Sequence, residues 1–334
     1  MTFTVTGSAT DANSSGTVAL ASVTSPQLLI QSPALLTAAA RFSATQVDLA
    51  QPVQLLLDIT NAGQADAAVV PGTPNSSGQG KAQVTAAPAA QTVPGLTTRT
   101  VIWTMSPTVT GPVRFTVGAT ATDVNSNASV DPAPSTTSSL LIQAPTALSA
   151  AIAATPAIAN TGQTLNVTVT AKNSGEAMAQ GVAPVLSIGG GGTTVLSGPS
   201  PSSATIGGGS SQVFTWSVRG DVVGTVTFSS TVTGTDANTA QTVSATTPAP
   251  SASVVVQTPA SLTSAVAVAS GSVNVGQSFQ VTLTATNSGD SAANAVAPSA
   301  IVLTGSGNAT LSSGPSPVSA TIGGHGSQAF AYMF

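Results

Sequence analysis

The feature that most constrains this chain is a sequence that repeats itself three times. The segment SPALLTA from Ser32 returns as APTALSA from Ala144 and as TPASLTS from Thr258, so that Pro33, Pro145 and Pro259 lie at intervals of 112 and 114 residues. Asn61 of TNAG, Asn173 of KNSG and Asn287 of TNSG keep the same two intervals, and Trp103, Trp216 and Tyr332 follow at 113 and 116. Such a period is too long for a small solenoid unit and long enough for a self-contained domain.

Within a repeat the apolar residues alternate with period two. Leu165, Val167, Val169 and Ala171 point one way, while Asn166, Thr168, Thr170 and Lys172 point the other, the pattern of a half-buried strand. The matching positions are Val53, Leu55, Leu57 and Ile59 in the first copy and Phe279, Val281, Leu283 and Ala285 in the last. Each strand runs into an Asn-x-Gly turn, at Asn61, Asn173 and Asn287, where Asn and Gly tolerate positive φ. A second strand carries Phe214, Trp216 and Val218 inward, with Val101, Trp103 and Met105 as counterparts. Later strands run through Val226, Phe228 and Val232 and through Val254 to Val256. With no sustained helical period and abundant β-branched residues, the expected fold class is all-β: tandem immunoglobulin-like β-sandwich domains.

The registers at the two ends carry a further expectation. MTFTVTGSATDANSS at Met1 aligns with VRFTVGATATDVNSN at Val113 and VTFSSTVTGTDANTA at Val226, so the chain opens inside a late strand of a repeat. At the other end Phe330, Tyr332 and Phe334 align with Phe214, Trp216 and Val218, and the two strands that follow in repeat 2 have no counterpart in repeat 3. The expected organisation is residues 1–31 as the last two strands of a domain, 32–143 and 144–257 as complete repeats, and 258–334 as an incomplete repeat. The two incomplete pieces are complementary. No basic segment followed by an apolar one opens the sequence, so no signal peptide is expected.

Composition excludes several classes. The six basic residues are scattered and form no stripe that could neutralise a phosphate backbone, so no nucleic-acid partner is expected. There is no cysteine, hence no disulfide or thiolate metal site. Charged residues make up 5% of the chain, against about 25% in ordinary globular domains, leaving a neutral, hydroxyl-rich surface. No run of about 18 apolar residues spans a membrane as a helix.

The lead-in Val273 to Gln277, the hydroxyl-rich alternating strand after it, the TNSG turn and the Ala-rich continuation resemble the bacterial and archaeal surface-repeat families of the CARDB and DUF11 type. That resemblance covers essentially the whole chain. It implies immunoglobulin-like sandwiches in prokaryotic adhesins, stalks and cell-surface fibres, an extracellular or cell-surface location, and no catalytic residues.

Candidate chemistry is sparse. The one histidine, His325, sits in a Gly-rich turn and reads as a solvated residue rather than a hydrolase base. Asp11, Asp123 and Asp236 recur at one repeat position, each followed two residues later by Asn13, Asn125 or Asn238; D-x-N offers calcium few oxygens and reads as an Asx-type turn. Asp48, Asp58 and Asp66 read as solvated positions with no cleft for paired-carboxylate catalysis. Asn13, Asn75, Asn127, Asn166 and Asn308 begin N-x-[ST] sequons. Gly189 to Gly192 and Gly207 to Gly209 lack the Lys of a phosphate loop and read as sandwich loops.

No enzyme, metal or cofactor is therefore expected. The expected role is a structural subunit of an extracellular fibre or stalk, joined head to tail to copies of itself by strand complementation, with other surface proteins or glycans as further partners. The expected assembly residues are Phe3, Val5, Leu28, Leu29 and Ile30 on the donor side and Phe330, Tyr332 and Phe334 on the acceptor side. The alternatives are a piece of a longer multi-repeat surface adhesin and a carbohydrate-binding module; the latter would need exposed aromatics, whereas Trp103 and Trp216 read as core.

Overall fold

The computed structural model describes residues 1–247 and 252–334, and all regular structure among them is β. The chain divides into two compact units, Met1–Pro145 and Thr146–Phe334. The first unit holds an N-terminal hairpin and the first repeat; the second holds the second and third repeats.

The second repeat displays the architecture most regularly. In the strand Thr164–Asn173 the side chains of Leu165, Val167, Val169 and Ala171 are buried and those of Asn166 and Lys172 exposed, as alternation dictates. This strand lies between Leu148–Thr155 and Ser211–Gly220, with Val167 opposite Trp216 and Val169 opposite Phe214; Thr193–Ser200 completes the sheet. The opposing sheet runs in the order Ile158–Asn160, Ala252–Gln257, Gly224–Asp236, Ala179–Gly190 and Ala204–Ile206, with Thr242–Thr246 also on Gly224–Asp236. The first sheet is antiparallel and the second antiparallel except for the parallel pairing of Ile158–Asn160 with Ala252–Gln257; face to face they make a sandwich, and its core is one cluster around Phe214, Trp216, Phe228, Val169 and Val254. The first repeat keeps a four-stranded first sheet, Leu36–Phe42, Val53–Asn61, Thr98–Val109 and Lys81–Ala86, but the opposing layer is divided into two sheets, one containing Gly111–Val117 and the other Ala119–Asp123, around a core of Trp103, Leu55, Met105 and Phe115. Both tryptophans lie in the core, as their alternation requires.

The turn asparagines differ from expectation. Asn61, Asn173 and Asn287 are fully buried, and none of them adopts the positive φ that the turn would tolerate. Asn61 donates from Nδ2 to the carbonyls of Ala65 and Val93, while its Oδ1 accepts the N–H groups of Leu35 and Gly63. The same pattern holds at Asn173 and Asn287. One side chain thus satisfies buried backbone groups on three segments at the end of each sandwich, which a local turn reading could not anticipate. The accompanying glycine is fixed by close approach: a Cβ on Gly63 would fall 1.9 Å from the Pro33 carbonyl oxygen.

The third repeat keeps one full sheet, Leu262–Val268, Gln280–Asn287, Ser327–Met333 and Ser313–Ser316. Its second sheet consists of Ala293–Val296 and Ala320–Ile322 alone. Measured against repeat 2, Ile158–Asn160 has no strand counterpart, and neither do the strands that follow Ser211–Gly220, namely Gly224–Asp236, Thr242–Thr246 and Ala252–Gln257, three there rather than the two expected. The cause is that Thr242–Thr246 pairs only with the outer half of Gly224–Asp236 and so forms a strand of its own.

Candidate assembly surfaces

The N-terminal hairpin is folded as the late piece of a sandwich. Strand Thr4–Thr10 pairs with Thr17–Thr24, and Thr4 lies opposite Thr24 just as Thr116 lies opposite Thr136 in repeat 1. Phe3 exchanges hydrogen bonds with Ser25, its N–H to Oγ and its carbonyl from the Ser25 N–H; Phe115 does the same with Thr137. Met1 and Leu28 bond each other's backbone, as Val113 and Leu140 are paired. Every one of these correspondences is an offset of 112 residues.

What differs is burial. Phe115, Val117 and Ile142 are 2%, 1% and 1% exposed, whereas their hairpin counterparts Phe3, Val5 and Ile30 are 54%, 70% and 68% exposed. Leu28, the counterpart of fully buried Leu140, is 50% exposed. Of the five expected donor residues, Leu29 belongs elsewhere: its counterparts Leu141 and Val255 are half-buried and exposed in the finished sandwiches, so it faces away from the core.

The acceptor side needs a larger correction. Phe330, Tyr332 and Phe334 are buried within the third repeat and are not open surface. Phe334 stacks on Phe279 at 5.7 Å between ring centroids, and the Tyr332 hydroxyl donates to the Ser299 carbonyl at 3.1 Å. Segment 297–311, whose counterpart in repeat 2 lies largely in strands, crosses the sheet here without strand structure and lays Ile301 and Ala309 over these aromatics. The open positions lie to either side. Leu262, Val266 and Val268 occupy the places of Leu148, Ile152 and Ala154, which pack into the core of repeat 2, yet they are exposed. A groove of about 310 Å³ runs between Val266, Leu283, Ile301, Val302 and Tyr332. A second, of about 450 Å³, is lined by Val273, Gln277, Phe279, Ala309 and Phe334. Sequence alternation could name the inward strand positions but not which of them the chain would cover with its own loop.

The recurring aspartates gain a second role beyond the turn. Oδ1 of Asp123 accepts the N–H groups of Asn125 and Ser126 and the Ser126 hydroxyl, the expected Asx arrangement. Its Oδ2 accepts the Ala34 N–H from the start of the repeat at 2.8 Å. Asp236 repeats both halves, with Asn238 and Thr239 on Oδ1 and Thr146 on Oδ2 at 2.8 Å. Burial works against ionisation of Asp236, but the donors from Thr146, Thr239 and Asn238 outweigh it and bring its pKa to about 2. The Ala34 N–H, followed by the Ser126 N–H, likewise holds Asp123 below the usual carboxylate range. Asp11 in the hairpin makes only the first half, accepting from Asn13 and Ser14 through Oδ1.

The remaining carboxylates are ordinary. Asp48 is buried rather than solvated, on the short strand Gln46–Asp48 that pairs along Leu140–Gln143 at the edge of its sheet. Asp58 is paired with Arg41 and accepts from Thr100, while Asp66 is exposed and accepts the Gly95 N–H. His325 is exposed, with Nε2 2.8 Å from Oδ1 of Asp290; Asp290 sits at a pKa of about 2 chiefly because the Thr258 hydroxyl and N–H donate to it, with His325 adding to this. Among the described residues no group of three or more His, Cys, Asp or Glu could hold a metal ion, and no helix is long and apolar enough to cross a membrane. All five sequon asparagines are exposed.

No family model matches the chain, and no curated protein matches it. Among solved structures, a Porphyromonas gingivalis protein of unknown function aligns over 64% of this chain and 98% of its own, at 10% identity and a TM-score of 0.23. Red sea bream transglutaminase aligns over 67% of this chain and 31% of its own, at 13% identity and a TM-score of 0.23. Salmonella alpha-2-macroglobulin aligns over 82% of this chain and 20% of its own, at 12% identity and a TM-score of 0.27. The chain thus spans under a third of the transglutaminase and a fifth of the macroglobulin.

Proposed function

We propose that this chain is a non-enzymatic structural subunit of an extracellular or cell-surface fibre, in which the hairpin of one copy completes the third repeat of another. The observation that carries this reading is the offset of 112: the Phe3–Ser25, Met1–Leu28 and Thr4–Thr24 pairings repeat those of Phe115–Thr137, Val113–Leu140 and Thr116–Thr136, yet the core face of the hairpin is open. The third repeat presents the reciprocal feature, an apolar face beside Leu262, Val266 and Val268 where repeat 2 has further strands.

The register of the joint follows from repeat 2. Phe228 stands opposite Ile188 and Thr227 opposite Gly189, so Phe3 falls opposite Val302 and Thr2 opposite Leu303. Val256 pairs in parallel with Ala159, so Ile30 falls beside Val273. Burying about half a dozen apolar side chains at roughly 2 kcal/mol each gives on the order of 10 kcal/mol. That equals the stability of a whole domain, so partnered ends are strongly favoured over bare ones, and open strand edges favour the same outcome. A head-to-tail contact that does not close on itself yields a filament. Negative-stain electron microscopy of the purified chain, with sedimentation over a concentration series, tests this: filaments or open oligomers are expected, and monomers at every concentration would refute it. Removal of the protein by protease added to intact cells tests its surface location.

A second reading is favoured by the same spacing, because Asp11, Asp123 and Asp236 stand at near-equal intervals along the sequence, as they would in a continuous array. There the completing strands belong to a neighbouring repeat of one longer surface adhesin. The mass of the native polypeptide under denaturing conditions separates the two: 32.1 kDa fits the subunit, and a much larger mass fits the array.

A further inference from the structure

We propose that Asp11 is the register latch of this joint, its Oδ2 accepting the backbone N–H of Ala260 in the third repeat of the neighbouring copy. The inference rests on the strand-complementation reading above. In both finished sandwiches an aspartate at the end of a late strand, Ala119–Asp123 or Gly224–Asp236, reaches the residue just after the repeat's first proline: Asp123 takes the Ala34 N–H, following Pro33, and Asp236 takes the Thr146 N–H, following Pro145. The equivalent donor in the third repeat is the N–H of Ala260, following Pro259. It is exposed and has no hydrogen-bond partner among the described residues, whereas Ala34 and Thr146 are buried. The other member, Asp11, stands in the hairpin with Oδ1 already committed to Asn13 and Ser14 and no donor on Oδ2 among the described residues.

A latch has a physical purpose here. The donor strand Thr4–Thr10 reads TVTGSAT, and a slip of two residues keeps small or β-branched side chains on the same faces. Side-chain pattern alone therefore specifies its register weakly. A carboxylate that is buried on docking tolerates no such slip, because a misplaced register would leave both the charge and the Ala260 N–H without partners. The neighbouring donor at Ser261 is already taken by Asn287 within the third repeat, which holds the segment in place for Asp11.

The test uses the full-length chain and two substitutions. Asp11→Asn keeps an oxygen for the turn but turns an NH₂ toward Ala260, setting donor against donor; Ala260→Pro removes the N–H. Sedimentation over a concentration series reads self-association of the wild type, each single variant and the double variant. The expected result is that Asp11→Asn needs about tenfold or more protein to reach the wild-type mean mass, the effect of one charge-assisted hydrogen bond. Adding Ala260→Pro to Asp11→Asn should then cost little more, since the two act on one bond. Wild type and Asp11→Asn associating equally would overturn the latch while leaving complementation standing, as would effects of the two substitutions that simply add. A wild type that never associates would overturn complementation and the latch together.

Discussion

The backbone N–H of Ala34 donates to Oδ2 of Asp123 at 2.8 Å, joining residues 89 apart in the sequence. That bond closes the first sandwich by tying the segment that enters the repeat to the turn near its end, and Thr146 with Asp236 closes the second in the same way. Each aspartate serves a local turn through one oxygen and the distant segment that enters the repeat through the other.

Removing that closure should unfold the second repeat well before the hydrophobic core is touched. Asp236→Ala strands the N–H groups of Thr146, Asn238 and Thr239, with an expected loss of about 3 kcal/mol. Urea denaturation followed by tryptophan fluorescence reads this, and an unchanged midpoint would remove the role assigned to the carboxylate.

Acid should act through the same groups. Asp236 and Asp290 titrate at about 2 in the folded chain, against about 3.9 when unfolded. As pH falls the unfolded chain takes up these protons first, so their stabilisation is complete above about pH 5 and drains away through pH 4 towards 2. Urea midpoints at pH 7, 4 and 2.5 should be level between the first two within a small margin and clearly lower at the third. A midpoint that rises with acid would contradict the assignment.

The tryptophans anchor separate cores. Trp103→Ala and Trp216→Ala should each cost about 3–5 kcal/mol, the range for emptying a large buried aromatic site. Because the residues lie in different clusters, the losses should appear in different unfolding transitions. Differential scanning calorimetry checks this, with one shifted transition per variant expected.

Gly63 offers a sharper steric test. A methyl group there meets the Pro33 carbonyl oxygen at 1.9 Å, and that atom belongs to backbone that cannot swing aside. Gly63→Ala should therefore destabilise the first repeat by about 1–3 kcal/mol, although alanine normally stabilises loops by restricting the unfolded chain. Wild-type thermal stability in this variant would show that the approach is looser than described.

The sandwich plan was legible because its signals are local and repeated: alternation in Thr164–Asn173 predicts which side chains lie inside, and Trp103 and Trp216 follow from strand partners of the same kind. Asn61 and Asp123 were legible only in half. Their neighbours in sequence suggest turns, while the partners that bury them, Leu35, Val93 and Ala34, lie 26 to 89 residues away. Phe330, Tyr332 and Phe334 failed for a related reason. Repeat alignment shows which strands have no counterpart, but not that the unpaired segment 297–311 folds across the open face and shelters the aromatics. The open surface therefore moved to Val266, Val268, Val273 and Val302, positions visible only once that segment is placed.

The most direct measurement is a disulfide between two differently labelled chains. One population carries Thr2→Cys and the other Leu303→Cys, positions that correspond to the outward-facing neighbours Thr227 and Gly189 of repeat 2. After mixing and mild oxidation, a covalent heterodimer linked through those two cysteines is expected, identified by peptide mass spectrometry. The same cysteines remaining unlinked, or linking no faster than a cysteine placed at exposed Asn166, would contradict it.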